Sequence, residues 1–115
     1  MANFLKARLS ENILGEPIHI TTNSSPGTLV HDLVDGYTSL DEVWLYASNT
    51  TASSVIVTVE LGGAGLKHEV KETVDGNKTA LVIPGLPMHG NGKISVYAGT
   101  ANVINVYGWV NEIVV

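Results

Sequence analysis

The chain of 115 residues has a formal charge of −5, from 11 acidic and 6 basic residues, and its length suits one domain. Six scattered cations cannot form the basic stripe that follows a phosphate backbone, so we expect no nucleic-acid partner. The chain has no cysteine, which excludes disulfides and thiolate chemistry. Its apolar runs are far shorter than the roughly 20 residues that span a bilayer, so we expect no membrane partner.

Residues 1–16 differ in pattern from the rest and are predicted to form an N-terminal arm. Leu5, Leu9 and Ile13 recur every four residues, which is the spacing of a short helical stripe. A helix this short is unstable alone, so we expect the arm to become ordered by docking on a partner. The alternative is a strand or helix folded back on its own domain. No apolar run follows the cations of this segment, so it does not have the pattern of a secretory signal.

Residues 17–115 have the pattern of an all-β domain. Short runs rich in Val, Ile and Thr alternate apolar with polar residues, and turns containing Gly or Pro separate them. About eight short strands are predicted, at 18–22, 28–34, 40–48, 55–61, 66–74, 78–83, 93–98 and 103–110. Strands at this spacing with no long helix predict an antiparallel β-sandwich, jelly-roll-like in type.

Two turns allow more detailed predictions. The Asp75-Gly76 pair suits a type I′ hairpin, which would pair the strands on either side and place Val70 opposite Leu81 on one face. The segment 84–87, with the sequence PGLP, is predicted to end its strand because neither proline can donate a hydrogen bond to a neighbouring strand.

No cluster of residues predicts catalysis, and we expect no enzyme activity, no cofactor and no metal. His31 and Asp35 share a strand face but lie roughly 13 Å apart at about 3.3 Å per residue, too far to bind one ion. The adjacent acids Asp41 and Glu42 point to opposite faces and cannot work as an acid–base pair. The segment 62–65 is rich in glycine but lacks the Lys of a phosphate-binding loop, so it is read as a turn.

Five aromatic residues are candidates for binding: Trp44, Tyr46, Tyr97, Tyr107 and Trp109. Trp44 and Tyr46 share one face of a predicted strand, and Tyr107 and Trp109 share one face of another. The favoured interpretation places such pairs in the core or at a subunit interface, where Tyr and Trp are enriched. The alternative is an exposed aromatic platform that binds a glycan.

Three segments carry a resemblance to a known class of proteins. They are LDEVWLYASN at 40–49, VIPGLP at 82–87 and ANVINVYGWVN at 101–111. Together they resemble small all-β virion proteins of tailed bacteriophages, of the capsid decoration or cement type. The resemblance implies a non-enzymatic protein on the outer surface of the capsid that ties neighbouring major capsid subunits together. It also implies a homotrimer, and it carries no catalytic residue.

We accordingly expect a virion protein whose partners are the major capsid protein and other copies of itself. Partner contacts are predicted at Phe4, Leu5, Leu9, Ile13, Trp44 and Trp109. Deletion of residues 2–14 is expected to leave the β domain folded and to weaken its attachment to the head. The alternatives are a neck, tail or fibre module of a virion and a carbohydrate-binding β-sandwich.

Overall fold

A computed structural model of the chain describes residues 3–33, 39–88 and 92–114. These ranges contain nine strands: β1 (Asn3–Arg8), β2 (Ile18–Ile20), β3 (Thr28–Asp32), β4 (Ser39–Asn49), β5 (Val55–Leu61), β6 (Glu69–Val74), β7 (Thr79–Met88), β8 (Lys93–Ala98) and β9 (Ile104–Val114). No helix within the described ranges has the length and apolar character needed to cross a membrane.

The nine strands form two antiparallel sheets, which confirms the predicted all-β sandwich. The five-stranded sheet has the order β1-β9-β4-β7, and β2 pairs with a separate stretch of β9. The four-stranded sheet has the order β3-β8-β5-β6. All eight strands expected from the sequence are present, and β1 is the additional one.

Alternation along the strands builds one core between the sheets. On β4, Val43, Leu45 and Ala47 are buried, while the residues between them are only partly covered. On the four-stranded sheet, Val57 and Val96 are fully buried and face this core. Each buried Val or Leu contributes roughly 1.5–3 kcal/mol relative to an exposed one, so period-two patterning selects which face of each strand turns inward.

The N-terminal segment is a strand, and the helical prediction for it is wrong. Residues Asn3–Arg8 pair with β9 in antiparallel register, and Ala7 lies opposite Val110. A helix of three turns is marginal in water, whereas the edge of β9 provides backbone partners for six residues. The alternative of a strand folded back on its own domain is the arrangement that the structure has.

The predicted hairpin at Asp75-Gly76 is also wrong, because β6 pairs with β5 and β7 pairs with β4. The turn therefore carries the chain from one sheet to the other. Its backbone is held locally, since the N–H of Lys78 donates to the carbonyl of Asp75 at 3.1 Å. Gly76 is needed there because a Cβ would lie 2.0 Å from the carbonyl oxygen of Ala52. Turn residues specify local backbone geometry, while burial decides which strands pair.

The strand β7 does not end at its prolines, contrary to the expectation for 84–87. It continues through Pro84 and Pro87 to Met88, with Pro84 opposite Trp44 of β4. β7 is the last strand of its sheet, so a missing N–H on its outer edge breaks no hydrogen bond. Two irregularities in the register accommodate the segment, and Gly85 has a φ of +79°, which favours glycine.

Candidate functional site

The outer face of the five-stranded sheet carries four aromatic side chains in two adjacent rows, here called the aromatic ladder. Trp44 and Tyr46 come from β4, and Tyr107 and Trp109 come from β9. Their neighbours along each strand fill the core, so period two turns these four rings outward. The rings therefore lie outside the core, which excludes the core interpretation and leaves both a subunit interface and a glycan platform to be considered.

The rings of the ladder stack in pairs across the two strands. Trp44 lies opposite Trp109, with ring centroids 5.9 Å apart and planes 14° from parallel. Tyr46 lies opposite Tyr107, with centroids 5.2 Å apart and planes 7° from parallel. A tilted contact between Tyr46 and Trp109, at 5.9 Å, joins the two pairs. Such pairs contribute roughly 0.5–1.5 kcal/mol beyond the area they bury, so the stacking stabilises the arrangement of the four rings.

The two outer strands of the sheet each place a residue beside one of the tryptophan rings. On one side, Nζ of Lys6 on β1 lies over the ring of Trp109, 5.0 Å from its centroid. On the other side, Gly85 of β7 lies against Trp44, and a Cβ there would be 2.7 Å from the six-membered ring. Since β1 and β7 flank the two ladder strands, each tryptophan has as neighbours both the other tryptophan and a residue of a flanking strand.

A carboxylate anchors the polar end of the ladder. Oε1 of Glu42 accepts hydrogen bonds from Nε1 of Trp44 at 2.8 Å and from Nδ2 of Asn111 at 2.9 Å. The hydrogen bond from Asn111, followed by that from Trp44, lowers the pKa of Glu42 below its ordinary value. The indole N–H is thus satisfied within the sheet, and Glu42 places a negative charge beside the aromatic surface.

Apolar residues extend the surface around the ladder. Phe4, opposite Ile113, is 69% exposed, and Leu81, opposite Tyr46, is 40% exposed. The outer face of the four-stranded sheet is more polar: there the hydroxyl of Tyr97 donates to Glu69 at 3.1 Å. The two outer faces therefore differ, and the aromatic one is the candidate binding surface.

The structure separates the six residues predicted to contact a partner. Trp44 and Trp109 meet in the ladder, and Phe4 and Leu5 are exposed on β1, at 69% and 58%. The predicted partner contact at Leu9 is corrected by the structure. Its side chain is only 1% exposed and belongs to the core of its own domain, because the chain turns inward after β1. The side chain of Ile13 lies outside the described part of the structure.

The histidine considered for a metal site has other partners. Nδ1 of His31 accepts a hydrogen bond from the N–H of Ser10 at 3.0 Å, and Nε2 donates to Oδ2 of Asp41 at 2.7 Å. Both ring nitrogens are therefore occupied, and Asp35 lies outside the described residues. Asp41 points inward to this histidine while Glu42 points outward to Trp44, as expected for neighbours on a strand. The sequence carries no signal for this pair, because the two residues come from strands of different sheets.

No other arrangement in the described ranges suggests chemistry, and they contain no group of three His, Cys, Asp or Glu side chains that could hold a metal ion. A cavity of about 330 Å³ borders Glu60, but that carboxylate already accepts hydrogen bonds from Oγ of Ser25 and the N–H of Gly27, so it serves to hold a loop. Compared with known proteins, the chain matches no protein-family model, no curated protein and no solved structure.

Proposed function

We propose that the protein is a structural virion protein that decorates the capsid of a tailed bacteriophage and stabilises it by bridging major capsid subunits. In this proposal it lies on the outer surface of the head, and the aromatic ladder is the face that docks on the shell. The observation that carries the proposal is the stacked, partly exposed row of Trp44, Tyr46, Tyr107 and Trp109 on one sheet face.

The geometry of the rings favours a protein partner over a sugar. A sugar stacks on a free aromatic face, whereas each tryptophan ring here already has the other tryptophan and a residue of a flanking strand as neighbours. Aromatic rings surrounded by apolar residues, with charged residues at the rim, are typical of protein interfaces. The residues that contribute most to binding there are Trp, Tyr and Arg. Arg8, opposite Trp109, and Glu42 supply such a rim.

Because capsid subunits repeat on a lattice, a modest interface with each subunit is sufficient for stable attachment. A protein that binds only the assembled shell stabilises that state, and contacts to several subunits at once raise the effective affinity without new interactions. The same logic favours a symmetric oligomer on the shell. The homotrimer is proposed on the resemblance to cement proteins.

Binding to isolated virion parts tests the docking face. Purified protein is mixed with emptied mature heads, and separately with tails, of the phage whose genome encodes it, and bound protein is measured by co-sedimentation. We expect binding to heads and at least a tenfold loss for Trp44→Ala with Trp109→Ala. Ile56→Ala removes an exposed apolar side chain from the opposite sheet and is the matched control. Thermal melting verifies that each variant is folded.

The outcomes separate the three functions. If the protein binds heads and the control variant Ile56→Ala retains that binding, decoration is supported. Binding to tails alone supports the neck, tail or fibre module. Binding on a glycan array that the tryptophan variants abolish would support the carbohydrate-binding alternative.

Shell stability tests the cementing role itself. Heads made without the protein should assemble but release DNA at a lower temperature, and added protein should restore the wild-type value. Equal heat resistance with and without the protein contradicts the proposal.

A further inference from the structure

The free edge of β1 differs from the other long edges of the sandwich. β1 pairs with β9 on one side, and it is the terminal strand in the order of its sheet. At the opposite end of that sheet, Pro84 and Pro87 interrupt the edge of β7. Since β1 contains no proline, its outer edge presents regular backbone donors and acceptors.

The edges of the four-stranded sheet are protected in other ways. β6 is covered with exposed charged residues, which discourage pairing with another strand. β3 is covered by the segment after β1: the N–H of Asp32 donates to Oγ of Ser10 at 2.7 Å, and the N–H of Glu11 donates to the carbonyl of Val30 at 3.4 Å. Of these four long edges in the described structure, β1 is the one that combines the absence of proline, the absence of a covering segment and exposed charges of a single sign, Lys6 and Arg8.

An open groove of about 670 Å³ runs along this edge, between β1 and the turn that follows it. Leu14 borders the same groove and is 81% exposed. The groove therefore offers an apolar contact beside an unpaired strand.

Charge selects what this edge can bind. Lys6 and Arg8 line the groove and share the outer face of β1, as their partners Asn111 and Trp109 on β9 show. They are two of only six cations in a chain of net charge −5. A second copy of β1 would bring its own two cations to the same face, and like charges across strands are destabilising. Acidic residues at alternate positions of an added strand would instead lie beside Lys6 and Arg8.

We propose that the free edge of β1 binds an extended acidic segment of a partner protein as an additional strand of the five-stranded sheet. The backbone of the segment pairs with β1, its Asp or Glu side chains lie beside Lys6 and Arg8, and one of its apolar side chains contacts Leu14. This binding site adjoins the aromatic ladder, because Lys6 and Arg8 also border Trp109, but it does not depend on the proposed role on the capsid.

A pair of labelled peptides tests strand addition. The first is a fluorescein-labelled ten-residue peptide of alternating Val and Glu, and the second has Pro in place of every Val. Both have the same charge, but proline cannot donate to a strand. We expect fluorescence anisotropy to show binding of the Val-Glu peptide at least tenfold tighter than that of the Pro-Glu peptide. Hydrogen exchange should slow at those amides of residues 4–8 that face the free edge.

A charge exchange tests the specificity. The Lys6→Glu/Arg8→Glu variant should lose at least tenfold in affinity for the Val-Glu peptide and gain binding of the corresponding Val-Lys peptide. Lys67→Glu/Lys78→Glu makes the same change in charge at exposed sites outside the groove, and it should bind as the wild type does. Gain of Val-Lys binding also shows that the edge variant is folded.

Three results would overturn the proposal. These are no binding of the Val-Glu peptide to the wild type, equal binding of the Pro-Glu peptide, and unchanged exchange at residues 4–8 in the bound state. Heads are absent from this experiment, so its failure leaves the proposal of capsid decoration in place.

Discussion

His31 and Asp41 join the two sheets through a buried hydrogen bond of 2.7 Å between Nε2 and Oδ2. His31 lies on β3 of one sheet and Asp41 on β4 of the other. The N–H of Ser10 donates to Nδ1, so the proton of a neutral ring is on Nε2, where it can be donated to the carboxylate. One side chain thus ties the segment after β1 to both sheets.

We predict that His31→Leu destabilises the protein by roughly 3 kcal/mol, because it leaves a buried carboxylate without its partner. Oδ1 of Asp41 already accepts no hydrogen bond within the described structure, so no second donor compensates. Urea unfolding measures the effect. In the double variant with Asp41→Leu, the loss should be smaller than the sum of the two single losses. A free energy of unfolding for His31→Leu within 0.5 kcal/mol of the wild type would contradict this prediction.

We predict that Leu9→Ala costs roughly 3 kcal/mol of stability, since the side chain is fully buried and its removal leaves a cavity. Leu14→Ala makes the same chemical change at an exposed position and should alter stability by less than about 0.5 kcal/mol. Equal melting temperatures of the two variants would refute the assignment of Leu9 to the core. For the same reason, deletion of residues 2–14 is now expected to destabilise the β domain, not to leave it intact.

We predict that Gly85→Ala disturbs the aromatic ladder. The substitution forces a side chain into a φ of +79° and against the ring of Trp44, at an expected total cost of roughly 2–3 kcal/mol. Gly62→Ala is the matched control, because Gly62 has a φ of +80° but no atom within 4 Å of a Cβ. The near-ultraviolet circular dichroism of the stacked tryptophans should change only in the Gly85 variant. A change of equal size in both variants would show that the ring contact is unimportant.

We predict that Glu42 makes stability depend on pH in the acidic range. Hydrogen bonds from Asn111 and Trp44 lower its pKa in the folded state from an ordinary value of 4.5. The resulting stabilisation is therefore present above the ordinary pKa and is lost as the pH falls through the lowered one. Between about pH 6 and pH 3, the melting temperature should fall less for Glu42→Gln than for the wild type. Glu16→Gln, which removes an exposed carboxylate elsewhere, is the control, and identical pH profiles for wild type and Glu42→Gln would count against the role of Glu42.

Several strands and the orientation of the candidate surface could be predicted from the sequence alone. The alternation from Val43 to Ala47 marks β4 as half-buried and places Trp44 and Tyr46 together on its other face. These are properties of one strand, because side chains of an extended chain alternate whatever the strand pairs with. The absence of an acid–base pair at Asp41 and Glu42 follows from the same alternation.

Sequence alone thus determined the all-β class, the approximate positions of eight strands and the pairing of aromatic residues on their faces, since each depends on neighbours within a few residues. Tertiary structure alone decided that β6 and β7 belong to different sheets, that β1 is a strand on β9, and that Leu9 is buried. It also decided the stacking of Trp44 on Trp109 and the bond between His31 and Asp41. These features depend on which strand offers the better partner across space. That choice is a competition over the whole chain for burial and backbone hydrogen bonds, which no local pattern records.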